Sequence, residues 1–457
     1  MKKTKIICTV GPASFSKTII KKMFHAGMNG IRINTAYGDP AQYRSTIETA
    51  REVADIPIIV DIKGPEIRLK TDQQKALSKG DFLEVGFNSG EFCFNHDFYD
   101  KMSVADIILI DNGKIKTTVV EKANRKLRLR VLNGGAVEDG KGVNIPNKHL
   151  AVPTLPERDV KILRFAKKLD VEYVALSFAR NAKDVEQISK NHRFEGEIIA
   201  KIENSEGVQN AEEIIDVAGG IMVARGDLGV EIEPERVPLI QKSLIKMCNQ
   251  EGKMVVTATE MLESMVHQPN PTRAEVSDVA NAILDGSDAV MLSGETAVGE
   301  YPVGAVEMMA RIANETEKAV VNHIEDTVFI NISDTVSRAI QRICQSMPVR
   351  KVVTLTQSGY TARMIARFRV SQPIIAVTPE IKVKKQLELM FGVQPVLVDY
   401  RGEKDLISTV ANQLHAMRLL NDEETVLFTA GVRTTMKHAS NSIEIHKIKE
   451  LRKYASA

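Results

Sequence analysis

From its first residues the chain alternates short apolar runs with stretches whose apolar positions recur at helical spacing. Unbroken apolar runs read as strands buried on both faces, and amphipathic helices between them predict parallel pairing. Ile6–Val10, Gly30–Asn34 and Pro57–Asp61 read as strands, with helices at Lys17–His25 and Pro40–Val53 between them. After Arg68 the pattern changes. Runs at Leu77–Phe87, Ile107–Ile110, Lys114–Val120 and Lys126–Leu132 are joined by turn sequences such as Asp111-Asn112-Gly113 and Asn133-Gly134-Gly135. This predicts an inserted all-β lid domain over 70–152. The earlier rhythm resumes with a helix at Glu157–Lys168, started by Thr154 and Pro156. Strands follow at Tyr173–Phe178, Glu197–Lys201, Ile221–Ala224, Met254–Ala258 and Ala289–Leu292. Eight strands with alternating helices predict an α/β fold, a (β/α)8 TIM barrel built from 1–69 and 153–325. A helix at Val303–Val321 closes it. Strands at Lys351–Leu355, Ile374–Val377, Val396–Val398 and Thr425–Thr429 predict a separate C-terminal open α/β domain over 326–457.

Composition changes this picture little. The 457 residues exceed one compact core, so several domains are expected. A net charge of +2 argues against nucleic-acid or membrane-surface binding by bulk charge, and no run is long enough to span a membrane. The N-terminal apolar run is too short for a secretion signal and meets Gly11-Pro12. Cys8, Cys93, Cys248 and Cys344 are scattered without a Cys/His cluster, which argues against a zinc site and suits a reducing, cytoplasmic setting.

In a barrel of this kind the chemistry sits at the C-terminal ends of the strands. Those positions carry Arg32 and Asn34; Asp61, Lys63 and Glu66; Ser177 and Arg180; Lys201 and Glu203; Arg225, Gly226 and Asp227; Thr257 and Thr259; Ser293 and Glu295. Alternate residues of a strand share a face, so Lys201 and Glu203 point the same way. Adjacent strands would bring two carboxylates, a lysine and an arginine to one rim. Hard oxygen ligands without nearby His or Cys suggest Mg2+ or Mn2+, and a lysine beside the ion suits a phosphoryl group in transfer. The glycines flanking Asp227 would let backbone amides approach an anion, with a helix starting over Glu231–Arg236. Neither a P-loop nor a strand-borne G-x-G-x-x-G is present.

Along almost its full length the chain resembles the pyruvate kinase family. The matching segments are Thr4-Lys-Ile-Ile-Cys-Thr-Val-Gly-Pro-Ala-Ser14, Lys63-Gly-Pro-Glu-Ile-Arg68, Lys141-Gly-Val-Asn144, Lys201-Ile-Glu-Asn204 and Met222-Val-Ala-Arg-Gly-Asp-Leu-Gly229. Pro271-Thr-Arg-Ala-Glu275, Ser277-Asp-Val-Ala-Asn-Ala282 and Met291-Leu-Ser-Gly-Glu-Thr296 complete the series. The resemblance implies phosphoryl transfer from phosphoenolpyruvate to ADP, giving ATP and pyruvate. It implies that Glu203 and Asp227 hold the divalent ion, that Lys201 stabilises the phosphoryl group, and that Arg32 contacts phosphate. Gly226 and Asp227 would meet the substrate carboxylate, Ser177 would line the substrate site, and Thr259 would lie in the proton path to the enolate. Arg68, Asp111 and Lys141 would close over the nucleotide from the lid, and Asn34 and Asp61 would be candidate ligands of a K+ ion. A homotetramer is the assembly implied.

Departures from the family pattern cluster after strand two, where the chain reads Asn34-Thr-Ala-Tyr-Gly38. Ala36 lacks a hydroxyl that ligates potassium in dependent members, Ile62 replaces a threonine, and Glu66 is of the dependent type, so the need for potassium stays open. Tyr37 replaces a histidine near the nucleotide, and Glu260 a glutamine. In the C-terminal domain Thr356, Ser358, Gly359 and Thr361 follow a strand and precede a helix. They form a candidate anion nest for a phosphorylated effector, together with Arg433 or Lys437; an ordinary helix start is the other reading. Two rival classes can be set against the kinase. A magnesium-dependent lyase or aldolase on pyruvate would have no use for the lid. A catalytically silent sensor would require loss of a key residue, yet Arg32, Lys201, Glu203, Asp227 and Thr259 are all present.

Overall fold

The structure is a computed structural model that describes residues 2–146, 148, 150, 152–321, 324, 331–431 and 440–454. Eight parallel strands close a barrel: β1 (Lys5–Thr9), β2 (Gly30–Asn34), β3 (Ile58–Ile62), β4 (Tyr173–Leu176), β5 (Glu197–Ile202), β6 (Gly220–Ala224), β7 (Met254–Ala258) and β8 (Ala289–Leu292). Each pairs with its chain neighbour, and β1 pairs with β8 to complete the ring. The runs read as doubly buried strands are buried throughout because helices cover their outer faces. Outward residues such as Ile31, Ile198 and Ile221 pack under those helices.

The lid is a second, smaller closed barrel, entered at Ile67–Thr71 and completed by Gly142–Asn144, which pairs with Arg68 and Ile67. The chain therefore crosses into the lid ahead of residue 70. Several lid strands, such as Phe92–Phe94 and Gly135–Val137, are only three residues long.

The C-terminal sheet has four parallel strands, β9 (Lys351–Leu355), β10 (Ile374–Thr378), β11 (Val393–Leu397) and β12 (Thr425–Ala430), plus antiparallel β13 (Ser442–Lys447). β11 begins three residues earlier than the pattern indicates. It carries Pro395, which is tolerated because β11 lies at the sheet edge. The antiparallel β13 was not anticipated.

Inward residues at the N-terminal end of the barrel, including Ile59, Tyr173, Met222 and Met254, share one apolar cluster with C-terminal residues such as Phe368, Leu387 and Met390. The C-terminal unit thus floors the barrel and leaves the opposite mouth to the lid.

Candidate active site

The mouth end of the barrel interior is polar. Alternation along each strand turns Thr9, Arg32, Asp61, Ser177 and Lys201 into the ring, opposite in sense to the outward Ile31, Ile33, Val60 and Ile202. These side chains touch. Arg32 Nε donates to Asp61 Oδ2 at 2.7 Å, and Arg32 Nη1 to Thr9 Oγ1 at 3.0 Å. Lys201 Nζ donates to Ser177 Oγ at 2.7 Å and lies 3.4 Å from Asp61 Oδ1. Ser177 Oγ passes its own proton toward Asp61 Oδ1 at 3.3 Å.

Glu203 follows β5 and is fully buried. Its Oε2 accepts from the Phe178 amide at 2.8 Å. Lys201 Nζ lies 2.8 Å from Oε1, but off-axis, so that buried oxygen has no aligned hydrogen-bond donor. Asp227, half-buried one strand over, acts on both Lys201 and Glu203 through its charge.

The electrostatics follow from a count. Asp61, Glu203 and Asp227 supply three negative charges, while Arg32 and Lys201 supply two positive ones, so the cluster is one positive charge short. Burial alone would raise Asp61, but Lys201 and then Arg32 hold it below the usual carboxylate range. Burial alone would lower Lys201, but Asp61 and Glu203 keep it firmly protonated. The deficit falls on Glu203. Burial pushes its carboxyl up to about 7, with Lys201 opposing and Asp227 adding to the rise. The two partners of the Lys201–Glu203 pair shift in ways that would not match for an isolated pair. The reason is that Lys201 answers to two carboxylates, whereas Glu203 has one cation and a like-charged neighbour.

Other rim residues lie elsewhere. Arg225 turns outward, with Nη1 2.7 Å from Asp278 Oδ1 and Nη2 2.7 Å from the Thr259 carbonyl, so it does not join Lys201 as the sequence suggested. The turn comes from a helix that begins at Arg225 itself (Arg225–Glu231) rather than at Glu231. Gly226 N donates to Thr259 Oγ1 at 2.8 Å. Thr259 sits at φ +69°, a strained value for a β-branched residue, held by that bond and by Arg225 on its carbonyl. Glu295 is fully buried and caps the Leu262 and Ser293 amides, a structural duty.

Asp227 also walls a cleft of about 350 Å³ between barrel and lid, with Tyr37, Arg68, Asp111 and Lys141 among its other walls. Lys141 Nζ lies 3.4 Å from Asp111 Oδ1, and Arg68 Nε donates to Glu66 Oε2 at 2.6 Å. Asn144 Nδ2 donates to Glu231 Oε1 at 2.8 Å, joining the lid to the helix that carries Asp227. Sequence reasoning overlooked Thr9, the Phe178 amide and this Asn144–Glu231 bond. The period of two from Ile7 would have found Thr9; nothing in the sequence signals the other two.

Of the monovalent-cation candidates, Asn34 Oδ1 accepts from the Ala36 amide at 3.0 Å, and Asp61 is held by Arg32 and Lys201. In the C-terminal unit Thr356 Oγ1 accepts from Gly359 N at 3.0 Å, and Thr361 Oγ1 bonds Ser440 Oγ at 2.8 Å. Both of these hydroxyls of the candidate effector loop have a partner within the fold, Thr356 as an acceptor that keeps its own proton to donate. Arg433 and Lys437 lie outside the described residues.

Comparison with known proteins gives a consistent result. A family model described as pyruvate kinase, barrel domain, matches residues 1–306, and one described as pyruvate kinase, alpha/beta domain, matches 334–446. The chain is 39% identical to the pyruvate kinase of Staphylococcus aureus (strain MRSA252), covering 98% of this chain and 81% of that one. It is 40% identical to the pyruvate kinase of Sporosarcina psychrophila, covering 99% and 81%. The crystal structure of a pyruvate kinase from Cryptosporidium parvum superposes with a TM-score of 0.90 at 33% identity, covering 98% of this chain and 96% of that one.

Proposed function

The chain belongs to the pyruvate kinase family, and we propose the following division of labour for its transfer of a phosphoryl group from phosphoenolpyruvate to ADP. The observation that carries the assignment is the polar layer at the barrel mouth, one positive charge short, in which Glu203 and Asp61 share the single Lys201 ammonium.

A divalent ion fits this donor set in chemistry. The donors are carboxylate oxygens, the choice of Mg2+ or Mn2+, and the negative charges of Glu203 and Asp227 exceed what Lys201 alone can balance. Glu203 and Asp227 would hold the ion, which when bound draws charge from the phosphoryl oxygens. Lys201 places its ammonium beside the same oxygens and stays protonated throughout, because Asp61 anchors it from below. Arg32, oriented by Asp61 and Thr9, presents its remaining donors to phosphate. Gly226 and Asp227 offer amides to the substrate carboxylate; Gly226 would exchange its Thr259 partner to do so. That exchange frees an acceptor lone pair on Thr259 Oγ1, whose proton is donated to the Ala258 carbonyl at 2.7 Å; by turning from that carbonyl the hydroxyl would pass its proton to the enolate carbon and take one back from water. Ser177 keeps Lys201 aimed inward. From the lid, Arg68, Asp111 and Lys141 would enclose the nucleotide phosphates and exclude water.

A potassium ion fits less well. Ala36 offers no hydroxyl, and Asp61 already faces two cations. Glu66 is likewise neutralised by Lys63 at 2.9 Å and by Arg68. No step is assigned to that ion.

ATP, ADP, phosphoenolpyruvate and pyruvate are thus the ligands. A cytoplasmic location and a homotetramer accord with the family, and no described helix is long and apolar enough to cross a membrane. The expected boundaries at 70 and 152 fall close to the lid's first and last strands, and the one at 326 lies outside the described residues. The deciding assay is ATP formation from phosphoenolpyruvate, ADP and Mg2+, with Lys201→Met beside the wild type. Equal turnover by the two proteins would refute this division of roles. Assembly is read by light scattering, where a mass of one or two chains would refute the tetramer.

A further inference from the structure

The barrel floor carries charges that the reaction does not use. Arg363, on the helix Tyr360–Ala366 of the C-terminal unit, is only 9% exposed. Its Nη2 donates to Glu197 Oε1, and its Nη1 donates to the Gly219 carbonyl at 3.4 Å. Glu197 is the first residue of β5, and Gly219 immediately precedes β6. Those two strands lead to Lys201 and Glu203 and to Asp227, respectively. One guanidinium therefore ties the lower ends of the two strands whose upper ends carry the carboxylate pair.

The tie has little slack. The ladder between β5 and β6 runs from Ile199–Gly220 to Ile202–Val223, and Gly219 N donates to the Ile198 carbonyl at 2.9 Å, so the Glu197–Arg363–Gly219 bridge extends the ladder by its last step. A Cβ at Gly219 would stand 2.7 Å from Glu197 Cβ, so the two segments are already in close contact. Glu197 Oε2 and Arg363 Nε are buried without hydrogen-bond partners, which leaves the guanidinium–carboxylate contact as the main satisfaction of both groups. A β-strand rises about 3.3 Å per residue, so a lengthwise shift of one strand at the floor is carried along a stiff ladder to the mouth.

We propose that Arg363 is a positioning residue for the divalent-ion pair: by joining Glu197 to Gly219 it sets β5 against β6, and with them Glu203 against Asp227. This rests on the reading of Glu203 and Asp227 as the ion's ligands. Arg369 provides the comparison, since it is as deeply buried at the floor but pairs with Asp288, just ahead of β8.

The test is Mn2+ binding to the full chain, followed by electron paramagnetic resonance without substrates. Partners that orient metal ligands typically carry 10–100-fold in affinity, and at this distance Arg363→Met and Glu197→Gln are expected to weaken Mn2+ by about tenfold, with Arg363→Lys restoring most of it. Arg369→Met should lower the thermal midpoint while leaving Mn2+ affinity at the wild-type value. Wild-type affinity in both Arg363→Met and Glu197→Gln would overturn the proposal, as would an equal loss in Arg369→Met. If Arg363→Met does not fold, Glu197→Gln, which conserves volume, decides alone. Glu203→Gln separates the ligand role from the positioning role. If it binds Mn2+ as the wild type does, the ligand reading has failed; if it loses Mn2+ while Arg363→Met and Glu197→Gln retain it, only the positioning role has failed.

Discussion

Asp288 stands just before β8 with its carboxylate 1% exposed, and replacing it by Asn tests how firmly the C-terminal unit floors the barrel. Oδ1 accepts from Arg369 Nη1 at 2.7 Å and from the Phe391 amide at 3.2 Å, and Oδ2 accepts from the Val255 amide at 3.0 Å. An asparagine has one acceptor oxygen. Whichever way its amide is turned, the NH2 faces a donor, and Arg369, itself buried, loses its counter-charge. Breaking a buried pair from one side costs about 3–5 kcal/mol, a large share of the roughly 5–15 kcal/mol that separates folded from unfolded protein. At about 2–4 °C per kcal/mol, the midpoint in differential scanning calorimetry at a fixed scan rate should fall by roughly 10 °C. Because Arg369→Met removes the other partner, the double variant should lose less than the sum of the singles. A fall of only about 1 °C, the size of an ordinary surface change, or strict additivity would show that the pair carries no such burden.

Three further outcomes bear on the mouth. Lys201→Met should lower kcat by about 10³-fold or more with an unchanged circular dichroism spectrum, and a loss below tenfold would remove Lys201 from the transfer step. Asn144→Ala deletes the lid's bond to Glu231, worth about 1 kcal/mol net. It should raise the KM for ADP roughly fivefold at nearly constant kcat, and an unchanged KM would place lid closure elsewhere. Replacing potassium by tetramethylammonium at constant ionic strength should leave the initial rate unaltered; a drop of an order of magnitude would show that Asn34 and Asp61 do recruit the ion.

The barrel was legible because both faces of each strand are covered. A run such as Glu197–Ile202 is then apolar without interruption until Lys201, and the break in the run marks the mouth. Alternation likewise puts Lys201 and Glu203 on one face from the sequence alone. In the lid the longer strands such as Ile107–Ile110 are legible, but three-residue strands such as Phe92–Phe94 are too short to show a period. The helix at Arg225 was hidden by Gly226 and Gly229, poor helix formers that tertiary contacts override. Its early start is what sends Arg225 out to Asp278. β13 could have been found, since Ile443 and Ile445 alternate with Glu444 and His446. The floor could not. Arg363, on the helix Tyr360–Ala366, and Arg369, just beyond it, look like surface charges, and their partners Glu197 and Asp288 are 166 and 81 residues away in the chain.

The two ends of the barrel use buried ions in opposite ways, and the contrast indicates which carboxylates are reserved for ligands. At the floor, Asp288 answers three donors with two oxygens, and Arg369 is shared among Asp288, Asn249 and the Gly286 carbonyl. Both oxygens of Asp288 are bonded and its charge is matched by Arg369, so nothing there calls for an added cation. At the mouth, Glu203 keeps one buried oxygen without an aligned donor beside a second carboxylate, an arrangement that burial and like charge both disfavour. A purely structural residue would be released from that conflict by substitution to glutamine, which fills the same volume without charge. The conflict disappears equally when a divalent cation shares the two carboxylates, and only then does the charge serve a purpose. An unpartnered oxygen alone does not mark a ligand, since Glu197 Oε2 at the floor lacks a partner too; what sets Glu203 apart is that a second carboxylate, Asp227, acts on it with no second cation, and that is the physical reason to place the ion between the two.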